Sequence, residues 1–328
     1  MRIEIWADVV CPWAYIGKRR LERGLAAWEG EDVEVVWRPF RIDPTAPAGA
    51  EPLDELLRDP WVDAELRACA PHLTTEQNRT RVAELAAAEG LGPRWGAGWR
   101  VSSGQAHRLI ALALREGGPR LQDAVVEGVL HAHFVAAEDI GSAAVLDRVA
   151  REAGFPEGGP LLSGDAGERE VRELLLRGRA IGVRTSPTFT VGGRALAGAQ
   201  EGEAVLEFAA EAARAAERGP ARMPEEVERL RLAESLLGAA DPLGALTLLA
   251  PLLEEHSADR NVLRLAARCY ARSAQLGRAE RTLADLLAQE PGDAYAHRLM
   301  GSVLRRRGEG ERAAPHLRLA SAMAPEYD

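Results

Sequence analysis

One cysteine at a predicted junction between a strand and a helix constrains this chain more than any other feature. Residues 2–6 alternate polar and apolar side chains, which is typical of a strand, and residues 13–28 carry an apolar stripe at helical spacing. Pro12 suits the first turn of that helix, where its missing N–H costs nothing, so Cys11 falls at or beside the N-cap. A thiolate there faces free backbone N–H groups and the positive end of the helix dipole, which can lower a cysteine pKa from about 8.5 to roughly 3.5–7.5. The sequence therefore predicts one nucleophile, Cys11.

The segment around Cys11 resembles the active-site motif of the DsbA family and is most similar to its cytoplasmic FrnE-like branch. In that branch a strand leads into Cys-Pro-Trp-Cys-Tyr-Ile-Gly-Lys. Residues 11–13 and 15–18 match this motif, but Ala14 stands where the second cysteine would be. A dithiol enzyme needs the second thiol to resolve the mixed disulfide that the first thiol forms. We therefore expect Cys11 to work as a single thiol.

Three further segments extend the resemblance over residues 1–217. In chain order they are residues 33–40, similar to the second strand of the family, residues 103–108, similar to a helix start in its inserted helical domain, and residues 182–189, similar to the cis-proline loop of the thioredoxin fold. The resemblance implies an α/β thioredoxin fold, with a helical insertion at about 45–165, in a domain that covers residues 1–218.

The resemblance also implies a set of site residues around the nucleophile. It assigns catalysis to Cys11 and substrate binding to Pro12, Trp13, His107, Ser186 and Pro187. The Ser186–Pro187 peptide bond is implied to be cis, in a loop that faces Cys11 and pairs with an extended substrate. Ser186 would either hydrogen-bond the thiolate or substrate or serve only the turn, and His107 would be either a site residue or a structural one.

Two charged residues bear on the reactivity of the predicted nucleophile. Asp8 precedes Cys11 by three positions and would raise the thiol pKa if its carboxylate were charged and close. Arg38, in the predicted second strand, would offset that charge.

The remaining segments of the first domain read as alternating loops, helices and one hairpin. Residues 43–60 and 154–160 are predicted loops, residues 166–181 and 201–217 are predicted helices, and residues 188–191 and 194–197 are predicted strands of a hairpin turning at Gly192-Gly193. Trp95 and Trp99, in a glycine-rich interruption of the helical insertion, either line a substrate groove or pack ordinarily. Gly219-Pro220 marks the predicted domain boundary.

Residues 222–328 repeat with a period of 34. Small residues recur at Ala233, Ala267 and Gly301, and again at positions 245, 279 and 313. A period of this length resembles the tetratricopeptide repeat, in which small residues let paired helices approach closely. The sequence thus predicts an all-α repeat domain of about three repeats, whose last repeat a partner protein or a second copy of the chain would cover.

Composition narrows the classes of partner and the compartment. A formal net charge of −9 argues against nucleic-acid binding, and no run approaches the roughly 18 apolar residues of a membrane span.

Cys11, Cys69 and Cys269 are scattered and odd in number, unlike a secreted disulfide framework, so we expect a cytoplasmic protein. Cys69 and Cys269 are predicted to be buried apolar residues, with Cys69 as a remote resolving thiol as the alternative. His131 and His133 lie on different helix faces, so no metal site is expected.

Three functions remain open from the sequence. The first is a DsbA-like monothiol oxidoreductase that acts on a thiol or disulfide of a small molecule or peptide. It binds no cofactor tightly and uses an external glutathione-like or mycothiol-like thiol as co-substrate. The second is a thiol-dependent isomerase or transferase that resembles hydroxychromene-carboxylate isomerases and kappa-type glutathione transferases. The third is a non-catalytic scaffold that binds a peptide or partner protein through its repeats.

Overall fold

A computed structural model describes residues 1–60, 64, 67, 70–217 and 223–327 of the chain. The chain forms two compact units, the first comprising Met1–Gly178 and Gly182–Pro220 and the second Arg179–Ile181 and Ala221–Asp328. In chain order, the described elements of the first part are β1 (Arg2–Ala7), α1 (Pro12–Ala26), β2 (Glu34–Pro39), β3 (Glu51–Pro52), α2 (Leu53–Leu56), α3 (Thr75–Ala88), β4 (Trp99–Arg100), α4 (Gly104–Phe134), α5 (Ala143–Glu152), α6 (Gly158–Leu162), α7 (Glu168–Ala180), β5 (Thr188–Val191), β6 (Arg194–Ala197) and α8 (Gly202–Glu217).

A four-stranded mixed sheet in the order β2-β1-β5-β6 forms the centre of the first unit. β1 runs parallel to β2 and antiparallel to β5, and β5 pairs with β6 through the predicted hairpin. Ile3 and Ile5 of β1 are buried in the core. Trp6, the next residue of β1, donates its indole N–H to the Thr190 hydroxyl of β5 at 3.0 Å. Because β1 is central, its carboxyl end brings Cys11 to the middle of the fold rather than to an edge.

Glycines bring α1 and α8 into close contact. A side chain on Gly202 would place its Cβ 2.1 Å from the backbone oxygen of Arg20, and one on Gly24 would lie 2.8 Å from the carbonyl carbon of Gly202. Real Cβ atoms do not approach backbone this closely, so α1 and α8 pack against each other only because both positions lack a side chain. This contact fixes the helix that begins at the predicted nucleophile.

The insertion contains more structure than the sequence predicted. The segment 43–60, predicted as a loop, contains β3 and α2, and the loop predicted at 154–160 gives way to α6 at Gly158. β3 pairs with β4, a contact between segments almost 50 residues apart that no local pattern indicates. α4 is broken at Gly118, whose φ of 72° suits glycine, and Pro119 follows it.

The two tryptophans of the insertion pack within the protein. Trp95 stacks on Phe134 with ring centroids 5.0 Å apart, and the Trp99 indole N–H donates to the backbone oxygen of Ala137 at 3.0 Å. Ordinary packing, the second of the two expectations, accounts for these contacts. Cys69, the alternative resolving thiol, lies outside the described residues.

Between residues 223 and 327, the second unit contains six successive helices followed by a 3₁₀ turn at Pro325–Tyr327. They are α9 (Glu225–Gly238), α10 (Pro242–Glu255), α11 (Arg260–Arg272), α12 (Leu276–Gln289), α13 (Ala294–Arg306) and α14 (Gly310–Met323). The predicted small residues Ala233, Ala267 and Gly301 are all buried. The prediction of a helical repeat is confirmed.

The period of 34 appears in individual contacts as well as in the sequence. Arg272 donates to the backbone oxygen of Leu237 at 3.1 Å, and Arg306, 34 residues later, donates to that of Ala271, also 34 residues later, at 2.6 Å. Each guanidinium thus donates to a backbone carbonyl near the C-terminus of the preceding repeat's first helix. The last carbonyls of a helix have no N–H partner within the helix, so this bond satisfies one of them. The same bond therefore links successive repeats.

Among the described residues, no helix combines the length and apolar character that crossing a membrane requires.

Candidate active site

Cys11 is the N-cap residue of α1, as Pro12 at the first helical position predicts. Its backbone is extended, with φ −91° and ψ 117°, and its N–H donates to the Asp8 carbonyl at 3.0 Å. The side chain makes no cap hydrogen bond, so the sulfur is free for other partners. Cys11 is 4% exposed, and Ala14, at the position of the missing second cysteine, is 1% exposed.

The loop before β5 lies against the Cys11 thiol. The Ser186–Pro187 peptide bond is cis, as the resemblance implied, and the thiol donates to the Ser186 carbonyl oxygen at 3.3 Å. The Ser186 hydroxyl oxygen accepts a hydrogen bond from the Asp8 N–H at 2.9 Å, which leaves the hydroxyl proton for another acceptor. Pro187 is buried, and its carbonyl accepts from the Gly198 N–H at 2.8 Å. The structure thus brings Cys11, Ser186 and Pro187 together.

His107 reaches this site through Asp8. Its Nε2 lies 2.9 Å from the Phe40 carbonyl oxygen and 3.3 Å from Asp8 Oδ1. A carbonyl oxygen only accepts, so Nε2 carries the proton and donates to both oxygens. The second Asp8 oxygen accepts from the Ile42 N–H at 2.7 Å. His107 is 3% exposed and Asp8 is fully buried, so the pair lies inside the protein rather than on a substrate-facing surface.

The pKa of Asp8 is lowered although the carboxyl is buried. Burial would raise this pKa, but the hydrogen bond and charge of His107, together with the Ile42 N–H, outweigh it. Asp8 is therefore a carboxylate at neutral pH.

The pKa of the Cys11 thiol is raised above its ordinary value, which contradicts the lowered pKa expected from the helix terminus. Burial is the largest cause, and the charge of Asp8 adds to it, as the sequence indicated. The Ser186 side chain and the backbone N–H groups of Trp13 and Ala14, which favour a negative charge on the sulfur, act in the opposite direction. The helix terminus does stabilise a thiolate, but desolvation outweighs that effect because the sulfur is buried.

The side chains of the other predicted residues lie around this centre and have no described contact with the sulfur. Trp13 is half-buried, and the guanidinium of Arg81 lies over its ring, 5.9 Å from the centroid. Pro12 is half-buried at the start of α1. Arg38 does not offset the charge of Asp8 as predicted, because it binds Glu4 on the neighbouring strand, with its Nε 2.9 Å from Glu4 Oε1.

One buried residue near Asp8 was not among the predicted site residues. His133 of α4 is 2% exposed, its Nδ1 has no hydrogen-bond partner among the described residues, and burial lowers its pKa to about 4. The charge of Asp8 partly opposes this shift, which places His133 within electrostatic reach of the carboxylate. Its sequence position gave no signal, because the break at Gly118 decides which way this half of α4 faces. Among the described residues, no three potential metal-binding side chains cluster.

A parallel strand-helix-strand unit, a cysteine at the helix N-cap and a cis-proline loop against its thiol define a thioredoxin-fold site of the DsbA type. Residues 2–209 match the DSBA-like thioredoxin domain, and the chain belongs to this family. Residues 236–303 match the tetratricopeptide repeat. The predictions of the DsbA family, of its thioredoxin fold and of the repeat are confirmed.

Individual relatives and solved structures are similar to parts of this chain. A probable DsbA oxidoreductase from Streptomyces coelicolor superimposes with a TM-score of 0.54 at 28% identity, over 68% of this chain and 94% of that one. The uncharacterized protein YwbO of Bacillus subtilis is 28% identical over 78 residues, which span 24% of this chain and only 38% of the relative's length. A 2-hydroxychromene-2-carboxylate isomerase aligns at 13% identity with a TM-score of 0.48, over 66% of this chain and 97% of that one.

Proposed function

We propose that this protein is a FrnE-like thiol–disulfide oxidoreductase that works through Cys11 alone and uses an external low-molecular-weight thiol as its second reactant. The observation that carries this proposal is the contact between the Cys11 thiol and the Ser186 carbonyl, next to the buried Ala14. That contact aligns the sulfur with the loop backbone, while Ala14 removes the intramolecular resolving thiol. The resemblance to a probable DsbA oxidoreductase supports the same chemistry.

The reaction is two successive exchanges. The Cys11 thiolate attacks one sulfur of a disulfide R–S–S–R′, forms the mixed disulfide Cys11–S–S–R and releases R′S⁻. A small thiol, as its thiolate R″S⁻, then attacks the R sulfur, releases the Cys11 thiolate and leaves R–S–S–R″. Electrons pass from the attacking thiol to the substrate disulfide, so the enzyme needs no other oxidant or reductant. A glutathione-like or mycothiol-like thiol would be a co-substrate rather than a tightly bound cofactor.

The buried environment determines when Cys11 reacts. Its raised pKa keeps the thiol protonated at rest, hydrogen-bonded to Ser186. The attacking species is the thiolate, which the N–H groups of Trp13 and Ala14 and the Ser186 hydroxyl would stabilise as it forms. This arrangement limits unspecific oxidation, and it suits a reducing compartment such as the cytoplasm.

The repeats would supply a partner to this chemistry. Tetratricopeptide repeats form surfaces that bind extended segments of other proteins, and this chain carries them in the same polypeptide as Cys11. We infer that they dock a protein or peptide, either as the substrate or as an assembly partner, with a second copy of the chain as one such partner.

Turnover of a peptide–glutathione mixed disulfide by the full chain, with glutathione as the external thiol, tests the proposed function. We expect release of the free peptide that is first order in enzyme, depends on external thiol and disappears in Cys11→Ser. In Ala14→Cys, which restores the family motif, the introduced thiol should displace the glutathione from Cys11 and close an internal disulfide in the first turnover without external thiol. Later turnovers should then require external thiol to reduce that internal disulfide.

Other outcomes would favour the alternatives. A stable thioether at Cys11, or isomerised substrate without a change in thiol oxidation, would indicate the isomerase or transferase class. Equal activity of wild type and Cys11→Ser would indicate a scaffold.

A further inference from the structure

Two histidines of the last repeat, His297 on α13 and His316 on α14, are hydrogen-bonded to each other. Their Nδ1 atoms lie 2.8 Å apart and their ring centroids 5.0 Å apart. The helices approach closely here because Gly301, one turn after His297, has no side chain; a Cβ there would lie 2.5 Å from Leu317 Cγ. His297 is 7% exposed and His316 is half-buried, so a titratable pair lies in the contact between the two helices.

The last repeat differs from the other two at these positions. The equivalent residues 34 positions earlier are Leu263 and Thr282, and those another 34 positions earlier are Arg229 and Leu248. None of these four changes its charge between pH 5 and 8, whereas histidine does. The contact between the paired helices is therefore built to respond to pH only in the third repeat.

The hydrogen bonds of the two histidines fix where their protons lie. His297 Nε2 lies 2.9 Å from the Pro291 carbonyl oxygen, which only accepts, so Nε2 carries a proton and Nδ1 of the neutral ring is bare. The proton between the rings therefore belongs to His316 Nδ1, which donates to His297 Nδ1. The first additional proton goes to His316 Nε2 and preserves this bond. A second would have to enter at His297 Nδ1 and would set two N–H groups, on two cations, against each other.

We propose that His297 and His316 form a pH-sensitive latch, which holds α14 against α13 at neutral pH and releases the last repeat when the solution becomes mildly acidic. The latched pair accepts one additional proton without losing its hydrogen bond, whereas the separated histidines accept two. Acid therefore favours the released form by mass action. The latch is a property beyond the proposed function, because it involves neither Cys11 nor a thiol.

The surroundings of His316 oppose a positive charge on its ring. Burial is the largest cause of its lowered pKa, and His297 and Arg312, one turn earlier on α14, lower the pKa further. The folded pKa thus lies below the unfolded value of 6.5, so the latched ring stays neutral where the released ring is already protonated. Its contribution to stability is complete above pH 6.5 and is lost as the pH falls toward the folded pKa.

The carboxylates that adjoin the latch are bound to arginines. They are Glu280 of α12 with Arg312, at 2.6 Å, Glu290 at the end of α12 with Arg260, at 3.0 Å, and Asp293 at the start of α13 with Arg264, at 2.6 Å. Glu326 of the 3₁₀ turn that follows α14 is exposed. A protonated His316 would have to displace an arginine to pair with any of the first three, so these carboxylates do little to stabilise it.

Hydrogen–deuterium exchange of the full chain, read by mass spectrometry in peptides from α14 and corrected for the intrinsic exchange rate at each pH, tests the proposal. In wild type, the protection of α14 should fall roughly 3- to 10-fold between pH 7.5 and 5.5, because one pH unit below 6.5 a released histidine is about 10-fold more often protonated than neutral. The protection of α9 and α10, in the first repeat, should stay constant.

His316→Asn is the test variant and His256→Asn its matched control. Asparagine places an NH₂ donor near the position of Nδ1 but does not titrate, so α14 of His316→Asn should be equally protected at both pH values. His256 is the exposed C-cap residue of α10 in the same unit, and His256→Asn should lose α14 protection as wild type does. An equal loss in wild type and His316→Asn, or α14 protection that does not change with pH in wild type, would overturn the proposal.

The ring nitrogens of the wild-type protein give a second measurement that needs no folded variant. In ¹H–¹⁵N spectra at pH 7.5, His297 should carry its proton on Nε2 and His316 on Nδ1. The opposite tautomers, or a free mixture of both in either ring, would contradict the latch. Neither measurement uses a disulfide, so both are independent of whether Cys11 performs the proposed exchange.

Discussion

At the scale of single residues, the reactivity of Cys11 depends on a balance between burial and a few hydrogen bonds. Ser186 takes part twice, because its carbonyl accepts from the thiol and its hydroxyl stabilises the thiolate. Ser186→Ala keeps the carbonyl contact but removes the hydroxyl, which is both the stabilising contact of the thiolate and the acceptor for the Asp8 N–H. We predict that it raises the Cys11 pKa and slows alkylation at pH 7 by roughly 2- to 10-fold, the equivalent of one hydrogen bond of about 0.5–1.5 kcal/mol.

Ser186→Thr is the control for this prediction, since it retains the hydroxyl. The pH profile of its alkylation by iodoacetamide should coincide with that of wild type. Trypsin cleaves after Arg2 and Lys18, so the tryptic peptide of residues 3–18 reports Cys11 separately from Cys69 and Cys269. If Ser186→Ala and Ser186→Thr slow the reaction equally, the loop shape rather than the hydroxyl controls the thiol.

His133 gives the protein a stability that depends on pH. Its folded pKa of about 4 lies below the unfolded value of 6.5, because burial disfavours the imidazolium. Above pH 6.5 the side chain is neutral in both the folded and the unfolded protein, so its titration does not change the free energy of unfolding. Between pH 6.5 and about 4 only the unfolded chain takes up the proton, so stability falls by up to about 3 kcal/mol. Below pH 4 both states are protonated and this contribution stays constant.

Guanidinium chloride unfolding at several pH values measures the effect of His133. His133→Gln should remove most of the slope between pH 6.5 and 4 while leaving the acid limb below pH 4, where Asp8 with its lowered pKa begins to titrate. Parallel curves for wild type and variant across the whole range would show that His133 is accessible to protons in the folded protein.

At the scale of elements, the turn inside each helix pair repeats an unusual backbone conformation. Ala240, Ala274 and Gly308 are spaced 34 residues apart and have φ values of 62°, 59° and 83°. A side chain in this left-handed region costs roughly 1–2 kcal/mol, whereas glycine adopts it readily. The third repeat therefore has the residue that this turn favours, and the first two do not.

Exchanging alanine and glycine at two of these equivalent turn positions should change the stability of the repeat unit in opposite directions. Ala274→Gly should stabilise the repeat unit by about 0.5–1 kcal/mol, and Gly308→Ala, whose Cβ would meet no other atom within 4 Å, should destabilise it by a similar amount. Thermal unfolding monitored by circular dichroism measures both. A loss of stability in Ala274→Gly would mean that the alanine methyl group contributes packing that outweighs the strain.

Local patterns predicted the elements whose signals lie within the chain segment itself. The strand-to-helix junction at Cys11, the hairpin of β5 and β6, and the 34-residue repeat each follow from residue spacing and turn residues. The pairing of β3 with β4 and the start of α6 escaped prediction, because a two-residue strand and a five-residue helix depend on tertiary contacts rather than on periodicity.

At the scale of the whole molecule, the sequence identified the parts of the site but not their electrostatic balance. Asp8 and His107 are 99 residues apart, and only the fold shows that they form a buried pair. The sign of the Cys11 pKa shift likewise depends on how deeply the folded protein buries the sulfur, and a motif does not contain that information. Family membership followed from the motifs because they specify a backbone frame around the cysteine.

The central claim is that Cys11 forms a mixed disulfide that an external thiol resolves. Incubation of the full chain with glutathione disulfide, followed by mass analysis of intact protein and of the peptide of residues 3–18, tests this claim directly. We predict one glutathione adduct on Cys11, absent in Cys11→Ser and released by excess reduced glutathione. No adduct at Cys11, or an adduct that a second thiol does not remove, would contradict a single-thiol exchange enzyme.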